Sequence, residues 1–473
     1  MWRVSRRSRL RCRMVDGATH RLTVVFEKKF DAMITIGFFL QNSNLGDADC
    51  SELLSGNPGV GGTEYEILLV ASELARRYPA DFRVVVLTTG SLSRPPKLEF
   101  RVVDNMPGSL FRVAVEAGCD VLVLEAKLPL EWYRPKGPAS GLKLVAWAHL
   151  DSDWRKYCSM SENSSLVRLV CVGREELDTI RDHDIYRKGT FIYYPYAFDE
   201  EMVRAIASRA GDRGHRVAFV GSLTPSKGFH ILADAWPEVL RRVPDAELHV
   251  YGSGKLYHKN AVLGPLGVAE ESYEKRFSQP LLQADGTIHH SVHFHGVCHG
   301  LAMREQLARA KVGVINPNTD ETFGLSAVDL LLAGCHMVVR RSPGVMDTCG
   351  YSPFSYAKRS FLPRRIVAAL LTEKKPSVEE AIESVNRRFG PDVILPQWRK
   401  LLFDVVENRP AEHISGLVHP FYRLKWLREL NRHVRRLVPA FLPVGRWQEI
   451  LPAVPGLIGE LVKRTPKAKG AVK

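Results

Sequence analysis

The chain has no apolar run approaching the ~18 residues that cross a bilayer as a helix. Its first residues contain no compact apolar stretch followed by a small-residue cleavage site, so a secretory leader is not expected and a cytoplasmic setting is. None of the eight cysteines forms a Cys-x-x-Cys pair. That spacing argues against a disulfide framework and fits free thiols in a reducing compartment. There is no repeat, and no low-complexity tract apart from the KRTPKAKGAVK terminus. Charge is missing where a nucleic-acid enzyme needs it. The formal net charge is +14, yet residues 1–32 hold nine Lys/Arg against three Asp/Glu, and residues 411–473 hold twelve against four. These two ends account for the whole excess, so the body is neutral and nucleic acid is not an expected partner. Basic ends point to an anionic membrane surface or to solvated tails.

What is present alternates between strand and helix. At 473 residues and 45% hydrophobic composition, the chain exceeds one ordinary core and suits two domains with additions. MITIGFFL from Met33, RVVVLTT (83–89), DVLVLEA (120–126), LKLVAWAH (142–149) and LVRLVCVG (166–173) are short apolar runs typical of parallel strands buried on both faces. Thr63 and Glu66 have the spacing of a capping box, and Ile67, Val70, Ala71 and Leu74 recur on one face, which predicts a helix over about 63–78. A second series runs through strands at 216–222, 246–254, 291–297, 311–317 and 336–341, with helices at 228–242, 301–310 and 323–334. The polar stretch 194–215 reads as the linker. The expected class is α/β: two doubly wound Rossmann-like domains facing a cleft. The expected division is a basic extension 1–32, a first domain 33–200, a second domain 201–390, and a crossover helix with a basic amphipathic tail at 391–473. For residues 1–32 a functional basic arm and a true start at Met33 both stand.

Two segments carry chemistry. In NPNTDETFGLSAVDLLLAG (316–334) a strand ends at Pro317, a loop carries Glu321, and a helix is expected from near Phe323. The amides of Phe323, Gly324 and Leu325 would then be unpaired donors, reinforced by the helix dipole: a ready anion site. Asp329 follows Glu321 by about two helical turns, so the two carboxylates are placed to grip one extended ligand at separate points. In VAFVGSLTPSKGFHIL (217–232) a strand ends in Gly221, and Lys227-Gly228 opens a helix, which lets Lys227 reach the cleft and neutralise a pyrophosphate.

The order VGSLxxxKG, then Gly252 to Gly254, then ExFGLxxxD, then Pro343-Gly344 resembles the family 4 (group 1) retaining glycosyltransferases of GT-B fold. The likeness covers about 33–390 and is stronger in the second half. It implies that Lys227 binds the donor diphosphate in a turn containing Gly221 and Ser222. It also implies that Glu321 contacts the donor sugar, that Asp329 holds the ribose hydroxyls, and that the amides of Phe323, Gly324 and Leu325 hold phosphate. Gly61 and Gly62 resemble the family's glycine-rich loop. His149 resembles a histidine that hydrogen-bonds the donor sugar near the reacting carbon; His149, Glu321 and Lys227 are the implied catalytic set. The implied reaction moves a sugar from a UDP- or GDP-sugar to a hydroxyl acceptor, a glycan or lipid-linked group, with no cofactor and no divalent metal. Two positions depart from the family pattern: Ser222 stands where Arg is usual, and Asp329 where Glu is usual. Both favour the rival reading, a non-catalytic GT-B-like protein that binds nucleotide or scaffolds a partner.

Four further segments stand outside the motif. HHSVHFHGVCHG (289–300) puts His293 and His295 on one strand face, but it contains no acid and no matched cysteine pair, so no metal site is expected. The insert 255–290 is longer than an ordinary connection and has two open roles, shaping the acceptor side or meeting a partner. PQWRKLLFDVVENR (396–409) is the expected crossover helix. In FYRLKWLRELNRHVRRLVPAFL (421–442), Leu424, Leu427, Leu430, Val434 and Leu437 recur at helical spacing beside Arg423, Arg428, Arg432, Arg435 and Arg436. One reading lays this helix in an anionic membrane interface; the other packs it on the protein with its basic face solvated.

Overall fold

Apolar runs separated by polar turns assemble into two parallel sheets. The computed structural model describes residues 9–13, 25–29, 33–42, 49–51, 53–58, 60–90, 95, 98–149, 154–254, 262–298, 300–318, 321–350, 352–412, 425–438 and 442–444. In the basic extension, β1 (Arg9–Arg13) and β2 (Val25–Lys29) pair antiparallel as a separate ribbon.

The first sheet starts with β3 (Ile34–Leu40), followed by α1 (Gly62–Arg77), β4 (Phe82–Thr88), β5 (Glu99–Val102) and α2 (Pro107–Glu116). It continues with β6 (Val121–Glu125), β7 (Lys143–Ala148), α3 (Trp154–Glu162), β8 (Leu166–Cys171), α4 (Arg174–Thr179) and β9 (Gly189–Phe191). Its order is β5-β4-β3-β6-β7-β8-β9, parallel throughout. Helices on both faces explain why β3 and β6 are buried at every position rather than at alternate ones.

The stretch expected to be a plain linker contains α5 (Glu200–Arg209), capped by the Asp199 carboxylate. Its polarity comes from a largely solvated helix rather than from a loop. The second sheet then runs β10 (Arg216–Val220), α6 (Phe229–Arg242), β11 (Glu247–Tyr251), α7 (Glu271–Ser278), β12 (Val292–Gly296), α8 (Gly300–Ala308), β13 (Val312–Ile315), α9 (Leu325–Leu332) and β14 (His336–Val339). Its order is β12-β11-β10-β13-β14, again parallel. Within the insert, α7 packs Tyr273 and Phe277 against Phe229 of α6.

Four helices follow: α10 (Pro343–Cys349), α11 (Leu362–Leu371), α12 (Val378–Phe389) and α13 (Pro391–Val406). α13 crosses back to the first sheet. Its Trp398 ring lies 4.7 Å from Trp147 and 6.4 Å from Phe38. One apolar cluster joins these residues to Phe323, Val328 and Phe389, so the two halves share a buried seam.

α14 (Lys425–Leu437) packs on the protein, as one of the two readings of the tail expects, but not with its basic face solvated. Its polar face is the buried one. Lys425 is 1% exposed and pairs with Glu175 at 2.6 Å and Asp178 at 3.0 Å. Asn431 bonds Asp182, and Arg435 bonds Asp184. Burial pushes the Glu175 carboxyl up to about 7. The apolar residues Trp426, Leu430 and Leu437 are exposed. Leu424 and Arg423 lie outside the described residues. Among the described residues, no helix is long and apolar enough to cross a membrane.

Candidate functional site

Strand order in the second sheet reverses at β10: β11 and β12 lie to one side, β13 and β14 to the other. The carboxyl ends of β10 and β13 therefore open at a topological switch point, where ligands of such sheets bind. Both motif segments leave the sheet here. Lys227 closes a single 3-10 turn, and Gly228 follows in the left-handed region at φ 75°. A Cβ at Gly228 would lie 2.2 Å from the Asn316 carbonyl oxygen, so only glycine allows the two loops to touch. The Asn316 amide donates to the Gly228 carbonyl, and the Asn318 N–H donates to the Ser226 carbonyl. Stitched in this way, the loops bring Lys227 Nζ to 2.6 Å from Glu321 Oε2. From the other side, the Glu321 N–H donates to Ser342 Oγ and the Gly344 N–H donates to the Glu321 carbonyl.

The helix expected from Phe323 begins at Leu325, because Gly324 turns left-handed at φ 83° as its N-cap. None of the Phe323, Gly324 or Leu325 amides donates to a backbone oxygen among the described residues. Gly62 faces this point: a Cβ there would lie 3.4 Å from Leu325 Cδ1. Gly62 of the first half thus meets the start of α9 in the second. The capping box does not form. Gly61 is the N-cap, without a side-chain cap bond, and Glu66 is fully buried, with neither carboxylate oxygen partnered among the described residues. Burial raises the Glu66 carboxyl well above the ordinary range.

His149 leaves β7 and comes to the same seam. Its carbonyl accepts from Thr322 Oγ1 at 2.6 Å, next to Glu321. Its Nδ1 lies 2.5 Å from the Tyr194 hydroxyl, and the two rings stack. Nε2 is buried without a partner among the described residues. Burial, with help from Lys127, pushes the imidazole down to about 3, so His149 is neutral across the physiological range. Burial holds the Tyr194 hydroxyl well above the ordinary range, and the Glu66, Glu176, Glu321 and Glu125 carboxylates add to that shift.

Asp329 is not part of the Lys227–Glu321 pair. It accepts from the Tyr196 hydroxyl, and burial raises its carboxyl against the opposing pull of Tyr196 and Arg304. Tyr196, Arg304 and Asp329 line a small pocket between α5, α8 and α9. Ser222 is 1% exposed and lies against Thr224 Oγ1, which in turn meets Ser226 Oγ, a short hydroxyl ladder beneath Lys227. The structure therefore assembles Lys227, Glu321, the turn at 323–325, Gly62 and His149, and sets Asp329 apart on the α9 flank. Sequence reasoning missed Thr322, Tyr194 and Tyr196. The tyrosines sit in a YPY run assigned to linker, and only their aromatic density in a polar stretch marked them.

Residues 214–371 match the family model described as glycosyl transferases group 1. No curated protein sequence matches the chain significantly. HepE from Anabaena, solved in complex with UDP and glucose, superposes with a TM-score of 0.56 at 16% identity, over 78% of this chain and 100% of that one. A glycosyltransferase from Rickettsia africae gives 0.57 at 10% identity over 80% and 99%. Sucrose-phosphate synthase from Thermosynechococcus elongatus gives 0.57 at 14% identity over 79% and 99%. With two parallel doubly wound sheets and these neighbours, the chain has the GT-B fold, and its second half matches the group 1 glycosyltransferases over residues 214–371.

Proposed function

We propose that the chain is a retaining, metal-independent glycosyltransferase that moves a sugar from a UDP- or GDP-sugar to an acceptor hydroxyl. The observation that carries this reading is the Lys227–Glu321 pair at the switch point, beside the amides of 323–325, which donate to no backbone oxygen among the described residues. An arriving diphosphate takes the Lys227 charge, and the released Glu321 carboxylate turns to the hydroxyls of the donor sugar. The helix-end amides and Lys227 stabilise the departing diphosphate by preorganised electrostatics, the role a metal fills elsewhere. Neutral His149 serves as a hydrogen-bonding group, not an ion. Asp329 takes the ribose hydroxyls in place of Tyr196 when the nucleotide enters. UDP and glucose in HepE support a nucleotide-sugar donor. In this reading residues 33–200 form the acceptor-side domain and 201–390 the donor domain. The test is a panel of nucleotide sugars, read first by thermal shift and then by donor turnover. A donor that raises Tm and is consumed by wild type but not by Lys227→Ala supports the assignment. Turnover that is indifferent to Lys227 overturns it.

The acceptor is lipid-linked and the enzyme works at the cytoplasmic face of an anionic membrane in this proposal. α14 turns Trp426, Leu430 and Leu437 outward beside exposed Arg436, while Glu175, Asp178, Asp182 and Asp184 hold its polar face. Each basic residue near an anionic leaflet contributes ~1 kcal/mol. Cutting the chain after Gly416 would strip Lys425 from two buried carboxylates, so the cleaner variant is Trp426→Ser with Leu430→Ser and Leu437→Ser. Co-sedimentation of wild type with anionic vesicles, lost in the triple variant, is expected. Wild-type protein left in the supernatant at low salt makes α14 purely structural.

A further inference from the structure

β11 and β12 are neighbouring parallel strands, and β12 is the edge of its sheet. Residues two apart on a strand share a face. Glu247 and His249 on β11 thus stand beside His293 and His295 on β12, with His249 opposite His293 in the register. The acid that residues 289–300 lack comes from the adjacent strand, some forty positions earlier in the chain.

Glu247, His249 and His293 each offer one ligand atom, all within 4.8 Å of one another. His249 Nε2 and Glu247 Oε2 are 3.3 Å apart. Two ligands bound at about 2.0–2.1 Å on a tetrahedral zinc are separated by about 3.3–3.4 Å, so this pair already has the spacing of a coordinated edge. The other nitrogen, His249 Nδ1, lies 3.0 Å from His295 Nε2, with the ring planes 7° from parallel. That bond assigns Nε2, not Nδ1, to the carboxylate side, which is how partners outside the coordination sphere orient a ligating histidine. Tyr251 stacks on His295 from behind at 4.6 Å. Arg216 donates to Glu247 Oε2 at 2.9 Å and fixes the carboxylate on this face.

We propose that Glu247, His249 and His293 form a binding site for one zinc-type transition-metal ion, with His295 positioning His249 and water completing the shell. Two imidazoles and a carboxylate select Zn²⁺, Ni²⁺ or Cu²⁺ over Mg²⁺ and Ca²⁺. The ion ties the edge strand to β11 just before Gly252, whose N–H donates to Gly296 and whose neighbour Tyr251 accepts from the Gly221 N–H. It thereby stiffens the strands beneath the Lys227 turn and takes no part in sugar transfer.

The experiment uses untagged full-length protein, stripped with EDTA and titrated with Zn²⁺ by calorimetry, with Tm and the absorption of a Co²⁺ form as further readouts. One equivalent is expected, with a tetrahedral Co²⁺ spectrum and a Tm rise of about 5 °C at a hundredfold excess over Kd. His293→Ala and Glu247→Gln lose the equivalent, and His295→Phe keeps it with affinity about tenfold weaker. Mg²⁺ gives no shift. No saturable equivalent, or the same Tm rise in His293→Ala and Glu247→Gln, overturns the site and leaves adventitious binding to histidines elsewhere. If His293→Ala does not fold, His293→Gln supplies the same comparison.

Discussion

Lys227→Ala separates catalysis from folding. The Lys227 and Glu321 side chains are 29% and 17% exposed, so the pair is near enough to water that its loss is a small stability term, at most about 1 kcal/mol after screening. For a unit of this size that is a Tm change of about 2–4 °C. The turn itself survives, because it is held by the Asn316 side-chain amide on the Gly228 carbonyl and by the Asn318 N–H on the Ser226 carbonyl, neither of which involves a lysine side-chain atom. The catalytic term is larger. Removing one preorganised partner of a developing anion costs about 2.7–4 kcal/mol, a fall of about 10²–10³ in kcat. The assay is nucleotide release from the donor that gives the largest thermal shift, measured beside Tm on the same preparation. A folded variant with near-wild-type turnover refutes the diphosphate role. A loss of turnover that only follows a loss of folded protein refutes the separation.

Turnover is expected to survive EDTA, since amides and Lys227 do the work of a cation; a strict need for Mg²⁺ or Mn²⁺ would contradict this. EDTA is expected to lower Tm through the β11–β12 site while sparing the rate, so the two claims fail separately. Burial depresses the His149 pKa to about 3, so the folded chain stays unprotonated where the unfolded chain binds a proton. The stability from this group is complete above about pH 6.5 and is lost as pH falls toward 3, at about 1.4 kcal/mol per pH unit. Urea unfolding at pH 7.5 and 5.5 should therefore show a smaller acid loss in His149→Gln than in wild type; equal losses would place His149 in water. Gly344→Ala puts a Cβ 2.1 Å from the Thr322 carbonyl carbon, and forcing the Glu321 loop aside is expected to cost about 1–3 kcal/mol and most of the activity. Wild-type stability and rate in that variant would show that the loop has room.

The strands were legible because parallel strands buried on both faces leave short unbroken apolar runs, as in VAFV (217–220) and VLVL (121–124). The Lys227 and Glu321 segments were legible because a strand, a glycine turn and a charged residue follow one another within a few positions. What escaped depends on residues distant in the chain. The α14 helix looked ready to bury its leucines, yet Glu175 and Asp178, 250 and 247 positions before Lys425, buried its polar face instead. Glu66 had capping spacing, but Gly61 took the cap and the helix packed Glu66 inward. The histidines of 289–300 lacked an acid along their own segment, and only the strand register supplies Glu247. The reach of Asp329 was read from helical spacing alone, which gives a position on α9 but not the Tyr196 hydroxyl waiting beside it.

Retaining transfer is tested directly by following the anomeric proton by NMR as purified wild-type, Lys227→Ala and Glu321→Ala proteins act on the UDP- or GDP-sugar that binds best. Wild type is expected to release or transfer the sugar with the donor's anomeric configuration in the first-formed product, and both variants to be slower by about 10² or more. A product of inverted configuration contradicts the retaining reaction. Tight nucleotide binding with no turnover in any of the three contradicts the enzyme itself and leaves a GT-B protein that only binds.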